Sequence, residues 1–233
     1  MGFNNVFVLF LLNRLNKFFI KKIYCISGLG ADEKAFSHLK IDGCNLVFIP
    51  WLIPDKNEPI SKYATRMAMS ITDKEPVLIG LSFGGMMCIE IARLIPVAKI
   101  ILISSIQSHR QMPMWMRVAG KLKVNRIVPL RPYRFLQSIQ NKRLGVTTLA
   151  EIELVNQYRK NTPQVYLDWA INEILNWKND WQPASLFHIH GDKDKIFPVN
   201  KLSPSHVIKN AGHFMIMNKA IAVNKCLALI LNT

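Results

Sequence analysis

Val77-Leu78-Ile79-Gly80-Leu81-Ser82-Phe83-Gly84-Gly85 is the stretch on which the fold turns. Val77 to Gly80 is a short apolar run of the kind that suits a parallel strand buried on both faces, and Gly85 to Ile95 continues as a helical pattern. Between them Gly80-x-Ser82-x-Gly84 places a serine on a strand-to-helix turn. A serine there sits at a strained backbone angle, so small residues must flank it, and its hydroxyl projects above the sheet edge at the helix N-terminus. The plainer reading is a serine that caps the helix. The strand before it and the helix after it favour the turn.

Outward from this stretch the alternation repeats. Lys22 to Ser27, Leu46 to Ile49, Ile100 to Ile103, Leu186 to Ile189 and His206 to Lys209 are further strand-like runs. Helical patterns lie around Glu33 to Leu39, Ile60 to Ile71 and Asn218 to Leu231. This order predicts an α/β fold with a doubly wound, mainly parallel sheet, whose ligands gather beyond the carboxyl ends of the strands. One interval breaks the rhythm. From Ile106 to about Pro183 only helical patterns occur, at His109 to Lys123, Tyr133 to Arg143, Thr148 to Lys160 and Gln164 to Lys178. Thr147 or Thr148 caps the third of these and Pro163 opens the fourth. The expected organisation is an N-terminal extension (1–20), a core (21–106 and 184–233) and an all-helical cap (107–183) inserted in the core.

The 233 residues are 50% hydrophobic and carry a net charge of +15, which excludes a disordered polycation. No run reaches the roughly eighteen apolar residues of a spanning helix, since the stretch from Val6 stops at Asn13 and Arg14. That stretch lacks a preceding cation and a following cleavage site, so export is not expected. Phe3, Val6, Phe7, Leu9, Phe10 and Phe18 with Arg14, Lys17, Lys21 and Lys22 suit a weak contact of residues 1–22 with a membrane surface. Asparagines scattered round the helical wheel favour a plain added helix or loose tail. Cys25, Cys44, Cys88 and Cys226 form no CxxC pair and sit among apolar residues, so a reducing, cytoplasmic setting is the default.

A serine hydroxyl is a poor nucleophile near neutrality and needs a base. Of six histidines, His188 and His190 alternate with apolar residues in a strand and read as core or strand-end residues, while His38, His109 and His206 lack a loop context. His213, in Asn210-Ala211-Gly212-His213-Phe214, follows the last strand in a glycine-bearing loop and is the preferred base. The imidazole needs a carboxylate to fix its tautomer. His190-Gly191-Asp192-Lys193-Asp194-Lys195-Ile196-Phe197-Pro198 offers two, Asp192 and Asp194, whereas Ser104, Ser105 and Gln107 after the fourth strand offer no acid.

Together these segments resemble the α/β-hydrolase fold family: Gly80 to Gly85 its nucleophile elbow, His190 to Pro198 its HGxxDxxxP acid loop and Gly212-His213 its histidine loop. The resemblance runs from Lys22 to the C-terminus, with Ile106 to Pro183 in place of the helical lid. It implies Ser82 as nucleophile, Asp194 as acid with Asp192 a turn residue, and His213 as base. The family's usual first hairpin has no counterpart. Where many members have His-Gly after the first core strand, this chain has Ser27-Gly28-Leu29-Gly30-Ala31. The oxyanion hole needs two backbone N–H groups, each worth on the order of 3 kcal/mol of barrier, and Leu29 and Phe83 supply them whatever their side chains. The missing histidine puts the loop's rigidity in question. A dinucleotide reading of Gly28-x-Gly30 fails, because Glu33 stands where the third glycine belongs.

Met112, Met114, Trp115 and Met116 begin the cap and Trp169, Trp177 and Trp181 end it. Met112, Trp115 and Trp169 are the candidates for an adaptable apolar substrate pocket, with glue between cap helices as the plainer role. The interval 107–183 holds twelve Lys or Arg against five acids, so the positive charge reads as dispersed. No nucleic-acid motif occurs. The expected function is a serine hydrolase cleaving an ester, thioester or related acyl bond of a small, partly apolar molecule, with no metal or organic cofactor required. The competing readings are a non-catalytic small-ligand receptor on the same scaffold, an acyltransferase or carbon-carbon bond hydrolase using the same triad, and a basic module for membranes or nucleic acid. Haloalkane dehalogenation is disfavoured, since Ser82 stands where it needs a carboxylate.

Overall fold

The computed structural model describes residues 21–123 and 134–232. The strands β1 (Lys21–Ile26), β2 (Cys44–Phe48), β3 (Val77–Leu81), β4 (Lys99–Ile103), β5 (Leu186–Gly191) and β6 (His206–Ile208) form one all-parallel sheet in the order β2-β1-β3-β4-β5-β6. Among the described residues the α-helices are α1 (Ile60–Ala68), α2 (Phe83–Ala92), α3 (Met114–Lys121), α4 (Arg134–Leu144), α5 (Leu149–Asn161), α6 (Gln164–Asn176), α7 (Met215–Asn218) and α8 (Ala220–Leu231). The chain winds from β1 out to β2, then returns past β1 to β3 and proceeds the other way. That reversal places a crevice between the carboxyl ends of β1 and β3.

Alternate strand residues serve opposite faces, as the two-residue period of a strand requires. Tyr24, Ile26, Leu78, Ile100 and Leu102 join one core with residues of α1, α2 and α6; Ile23, Cys25, Val77, Ile79, Ile101 and Ile103 join another with residues of α7 and α8. Every residue of β3 is buried, and so is every residue of α2 from Phe83 to Ile91. A helix apolar on almost every face belongs inside a protein, and α2 lies in the core between β3 and α1, with its one charged residue, Glu90, accepting the Trp177 Nε1–H at 2.8 Å.

Helices α3 to α6 lie between β4 and β5, in the interval read as a cap. Thr148 caps α5 with a reciprocal bond from Glu151, and Pro163 stands at the N-cap of α6. Two expectations change. Glu33 to Leu39 is not a helix but a single 3-10 turn, Glu33–Phe36, which Asp32 closes by accepting the Lys34 N–H at 3.0 Å. His109 to Lys123 is broken into a 3-10 turn, His109–Gln111, and α3, because Pro113 between them has no N–H to continue the first helix. Tyr133 and the proposed extension 1–20, with most of its membrane-contact residues, lie outside the described residues. Among the described residues no helix is long and apolar enough to cross a membrane. The four cysteines are unpaired, and burial pushes the Cys25 thiol up to about 12.

The sheet centre sets an expectation for stability. Ile79 is 0% exposed and Val207, on edge strand β6, is 51% exposed. In urea melts Ile79→Ala loses about 2–5 kcal/mol, whereas Val207→Ala changes stability by only about 0.5 kcal/mol. Equal effects would contradict the two-faced core.

Candidate active site

The site begins with a backbone conformation. Ser82 has φ 52° and ψ −115°, in a region that residues with side chains rarely occupy. Three bonds hold it there: its N–H donates to Ile103 O on β4 at 2.9 Å, and its C=O accepts from the Ser105 hydroxyl at 2.6 Å and from Gly85 N–H at 3.0 Å. The flanking glycines are required by contact. A Cβ on Gly80 would collide with the backbone of Gly84 and Gly85, and one on Gly84 with the carbonyl oxygens of Ile26 and Ser27. The Ser82 turn is thereby pressed against the end of β1.

His213 comes to it from the loop after edge strand β6, at the same end of the sheet. Its Nε2 lies 2.9 Å from Ser82 Oγ and its Nδ1 lies 2.8 Å from Asp194 Oδ2. A carboxylate only accepts, so Nδ1 carries the proton and Nε2 presents a lone pair to the serine hydroxyl. Asp194 Oδ1 is fixed by the N–H groups of Ile196, at 2.7 Å, and Phe197, at 3.0 Å. Asp192 takes no part in this chain. It laces the acid loop to the histidine loop by accepting the Ala211 N–H at 3.3 Å, while Lys193 N–H donates to Ala211 O at 2.9 Å. The cap reaches this loop too: Phe214 N–H donates to Leu144 O at 2.8 Å and Asn218 Nδ2 to Gly145 O at 2.9 Å.

The other side of the crevice carries the segment Ser27 to Ala31. Ala31 N–H closes a turn onto Gly28 O at 3.1 Å, with Gly30 at φ 68°, so the turn uses the Ala31 donor and not that of Leu29. Phe83 is the first residue of α2, and its N–H has no acceptor within the helix. This loop is braced by a serine and a tryptophan. Buried Ser27 donates its hydroxyl to Ala31 O at 2.5 Å and accepts Trp51 Nε1–H at 3.0 Å, and that indole also reaches Gly28 O at 3.1 Å. Trp51 in turn stacks on Phe83, with ring centroids 4.9 Å apart.

Of the three pocket candidates, Trp169 alone has ring contacts here, edge-on to Phe83 at 6.1 Å and stacked on Tyr63 at 4.1 Å. Met112 is buried in the core below the helices. Trp115 is more than half exposed, with the Arg143 guanidinium over its ring at 5.8 Å. The reason is the rotation of α3, whose Met116 and Gly120 face inward and leave Trp115 outside. A cavity of about 230 Å³ lies beside the Gly28–Ala31 turn, lined by Gly30, Trp51, Tyr158 and Tyr166 among others, but neither Ser82 nor His213 borders it.

Sequence reasoning missed one partner of the site. His190, set aside as a strand residue, has its Nε2 3.3 Å from Asp194 Oδ2 and 2.8 Å from Phe197 O. The carbonyl fixes the proton on Nε2, and the neutral ring offers Nδ1 to His188 Nε2–H at 3.1 Å. The signal was the i, i+4 spacing of His190 and Asp194 across the strand end. Burial works to raise the Asp194 pKa, but His213, His190 and the Phe197 N–H outweigh it and hold the carboxyl below its ordinary value. Burial lowers the pKa of His190 and of His188, the latter, with His190 beside it, to about 3. Among the described residues no group of three or more His, Cys, Asp or Glu is arranged to hold a metal ion.

The comparisons with known proteins stand beside this geometry. No family model matches the chain, and no curated protein matches it in sequence. Solved structures do: a thermophilic esterase from Thermogutta terrifontis (TM-score 0.69, 18% identity, 91% of this chain and 89% of that one). MenH from S. aureus gives a TM-score of 0.70 at 15% identity over 91% and 93%, and an epoxide hydrolase from Bacillus megaterium 0.66 at 15% over 91% and 94%. The chain has the α/β-hydrolase fold.

The buried histidines set the acid response. An unfolded histidine titrates near pH 6.5, so between there and about pH 3 the unfolded chain binds a proton at this position that the native state refuses. Stability therefore falls as pH drops through that window, by about 1.4 kcal/mol per pH unit from His188, and the lowered pKa of His190 acts in the same direction. Asp194, whose pKa is lowered, contributes stability above the unfolded value of about 3.9 and loses it only below. Urea midpoints of His188→Leu measured from pH 6.5 to 4 should fall less steeply than those of the wild type. An unchanged slope would show that His188 titrates freely in the native protein.

Proposed function

We propose that the protein is a serine hydrolase acting on an ester, thioester or related acyl bond of a small, partly apolar molecule. What supports the reading is the continuous chain from Ser82 Oγ through His213 to Asp194, with its serine on a strained turn at the crevice where the strand order reverses. The fold is one on which the solved structures named above carry esterase and epoxide hydrolase.

In this mechanism His213 Nε2 takes the proton of Ser82 as its oxygen attacks the acyl carbon, and Asp194 stabilises the imidazolium that forms. The Leu29 and Phe83 N–H groups receive the negative charge on the former carbonyl oxygen. His213 then protonates the leaving group, and water, deprotonated by the same nitrogen, clears the acyl-enzyme. Trp51 and Trp169, both packed on buried Phe83, form the aromatic wall against which the apolar part of the substrate rests. The Ser27 hydroxyl and Trp51 indole keep the Leu29 turn at its post, the task for which many relatives in the fold use a histidine.

A fluorophosphonate probe should label the wild type and not Ser82→Ala; a folded wild type that stays unlabelled defeats the proposal. On an ester panel graded by acyl length, Asp194→Asn should lower kcat by roughly 10⁴, the scale of a lost tautomer-fixing carboxylate, while Asp192→Asn leaves most of it. Ser27→Ala should lower kcat by about tenfold with KM little changed, because the loosened turn matters to the transition state and not to ground-state binding. A pure KM effect would remove Ser27 from the oxyanion brace.

A further inference from the structure

Counted along the chain without regard to the cap boundaries, the positive charge is not dispersed. Residues 91–150 contain eleven Lys and Arg and not one Asp or Glu, so this stretch carries most of the net +15. Division at residues 107 and 183 hides this, because the acids of the interval, from Glu151 on, follow the cationic block.

Helix α3 lies inside that block and has two unlike faces. Its inner face is Met116 and Gly120, both buried, the latter so close to the Leu175 backbone that no side chain would fit. On the outside Met114 is 65% exposed, Trp115 55%, Val118 46% and Leu122, at the C-cap, 64%. At about 100° per residue these four span roughly a 100° arc, with Arg117 and Lys121 along one border. Lys123 follows directly. Arg117, Lys121 and Lys123 are exposed and, among the described residues, join no ion pair, whereas Arg110 is engaged by Asp180. Single exposed apolar residues are ordinary on a protein surface, but four contiguous ones with cations along one border are not.

We propose that this face of α3 docks on an anionic lipid surface. The arc supplies apolar area for the boundary between headgroups and acyl chains, Trp115 is an amphipathic side chain suited to that depth, and the cations border it where lipid phosphates lie. Two other occupants match the face less well. A second copy would bring like charges together, and a nucleic acid would leave the four apolar side chains without a partner. The site is separate from Ser82, so the inference stands or falls independently of hydrolase activity.

The test is flotation of the full chain with phosphatidylcholine vesicles, with and without phosphatidylglycerol. Binding is expected only with the anionic lipid. Trp115→Ser/Val118→Ser/Leu122→Ser should weaken it by at least tenfold, and Arg117→Gln, Lys121→Gln and Lys123→Gln by about fivefold for each cation removed. Ser82→Ala should bind as the wild type does. Brominated anionic lipid should quench tryptophan fluorescence, and Trp115→Phe, which keeps an apolar ring, should float normally yet lose that quenching. Retained binding by the triple serine variant overturns the proposal and moves the contact elsewhere, including to residues 1–20. Failure of folded wild type to float, quenching unchanged in Trp115→Phe, or tight binding to duplex DNA that survives the triple serine variant overturns it equally.

Discussion

The structure depends on the turn at Ser82. A side-chain-bearing residue at φ 52° costs on the order of 1–3 kcal/mol, and it persists because its surroundings leave no alternative. β3 is buried throughout and α2 from Phe83 to Ile91, so neither end of the turn is free to relax. Glycine at positions 80 and 84 lets α2 start directly against β3 and the end of β1. That contact brings the N-terminus of α2 to the crevice between β1 and β3, with the serine hydroxyl and the Phe83 N–H at its rim. A longer or looser turn would satisfy the sheet and helix equally well but would not hold the oxygen above the sheet edge.

Around this turn the site is assembled from loops that meet because parallel strands all end on one side. Ser82 follows β3, the Leu29 turn follows β1, Asp194 follows β5 and His213 follows β6. The pairing of β5 with β6 makes the acid and base loops neighbours, and backbone bonds of Lys193 and Asp192 to Ala211 set their spacing. Burial alone would discourage a charged Asp194. Two N–H donors and two imidazoles surround it instead, which keeps it ionised and its Oδ2 directed at His213. On the opposite rim the Ser27 hydroxyl and the Trp51 indole brace the Gly28–Ala31 turn through three hydrogen bonds.

The helices between β4 and β5 contribute to the site without supplying its reactive atoms. The end of α4 binds the histidine loop through Leu144 and Gly145, Thr162 after α5 donates its hydroxyl to Gly30 O at 3.2 Å, and α6 brings Trp169 against Phe83. The inserted segment is therefore fastened to both rims of the crevice. Its first helix, by contrast, presents an apolar and cationic face outward, so one segment carries two surfaces of opposite orientation.

By itself the sequence determined the strands, the turn, Ser82 and His213, and narrowed the acid to Asp192 or Asp194, between which the structure decided. These are local properties: apolar runs of strand length, glycines at fixed offsets around a serine, an aspartate and a histidine each placed just beyond a strand. It also exposed where its reading was too coarse, since Pro113 already marked the break in the helix expected from His109 and the absence of acids from 91 to 150 was there to count. Only the tertiary structure decided that Trp51 braces Ser27 across 24 residues, that His190 shares Asp194 with His213, and that Trp115 faces solvent while Trp169 faces the site. Periodicity says which residues share a face of an element. Which neighbour that face meets depends on the order of strands and the rotation of each helix, and packing of the whole chain alone fixes those.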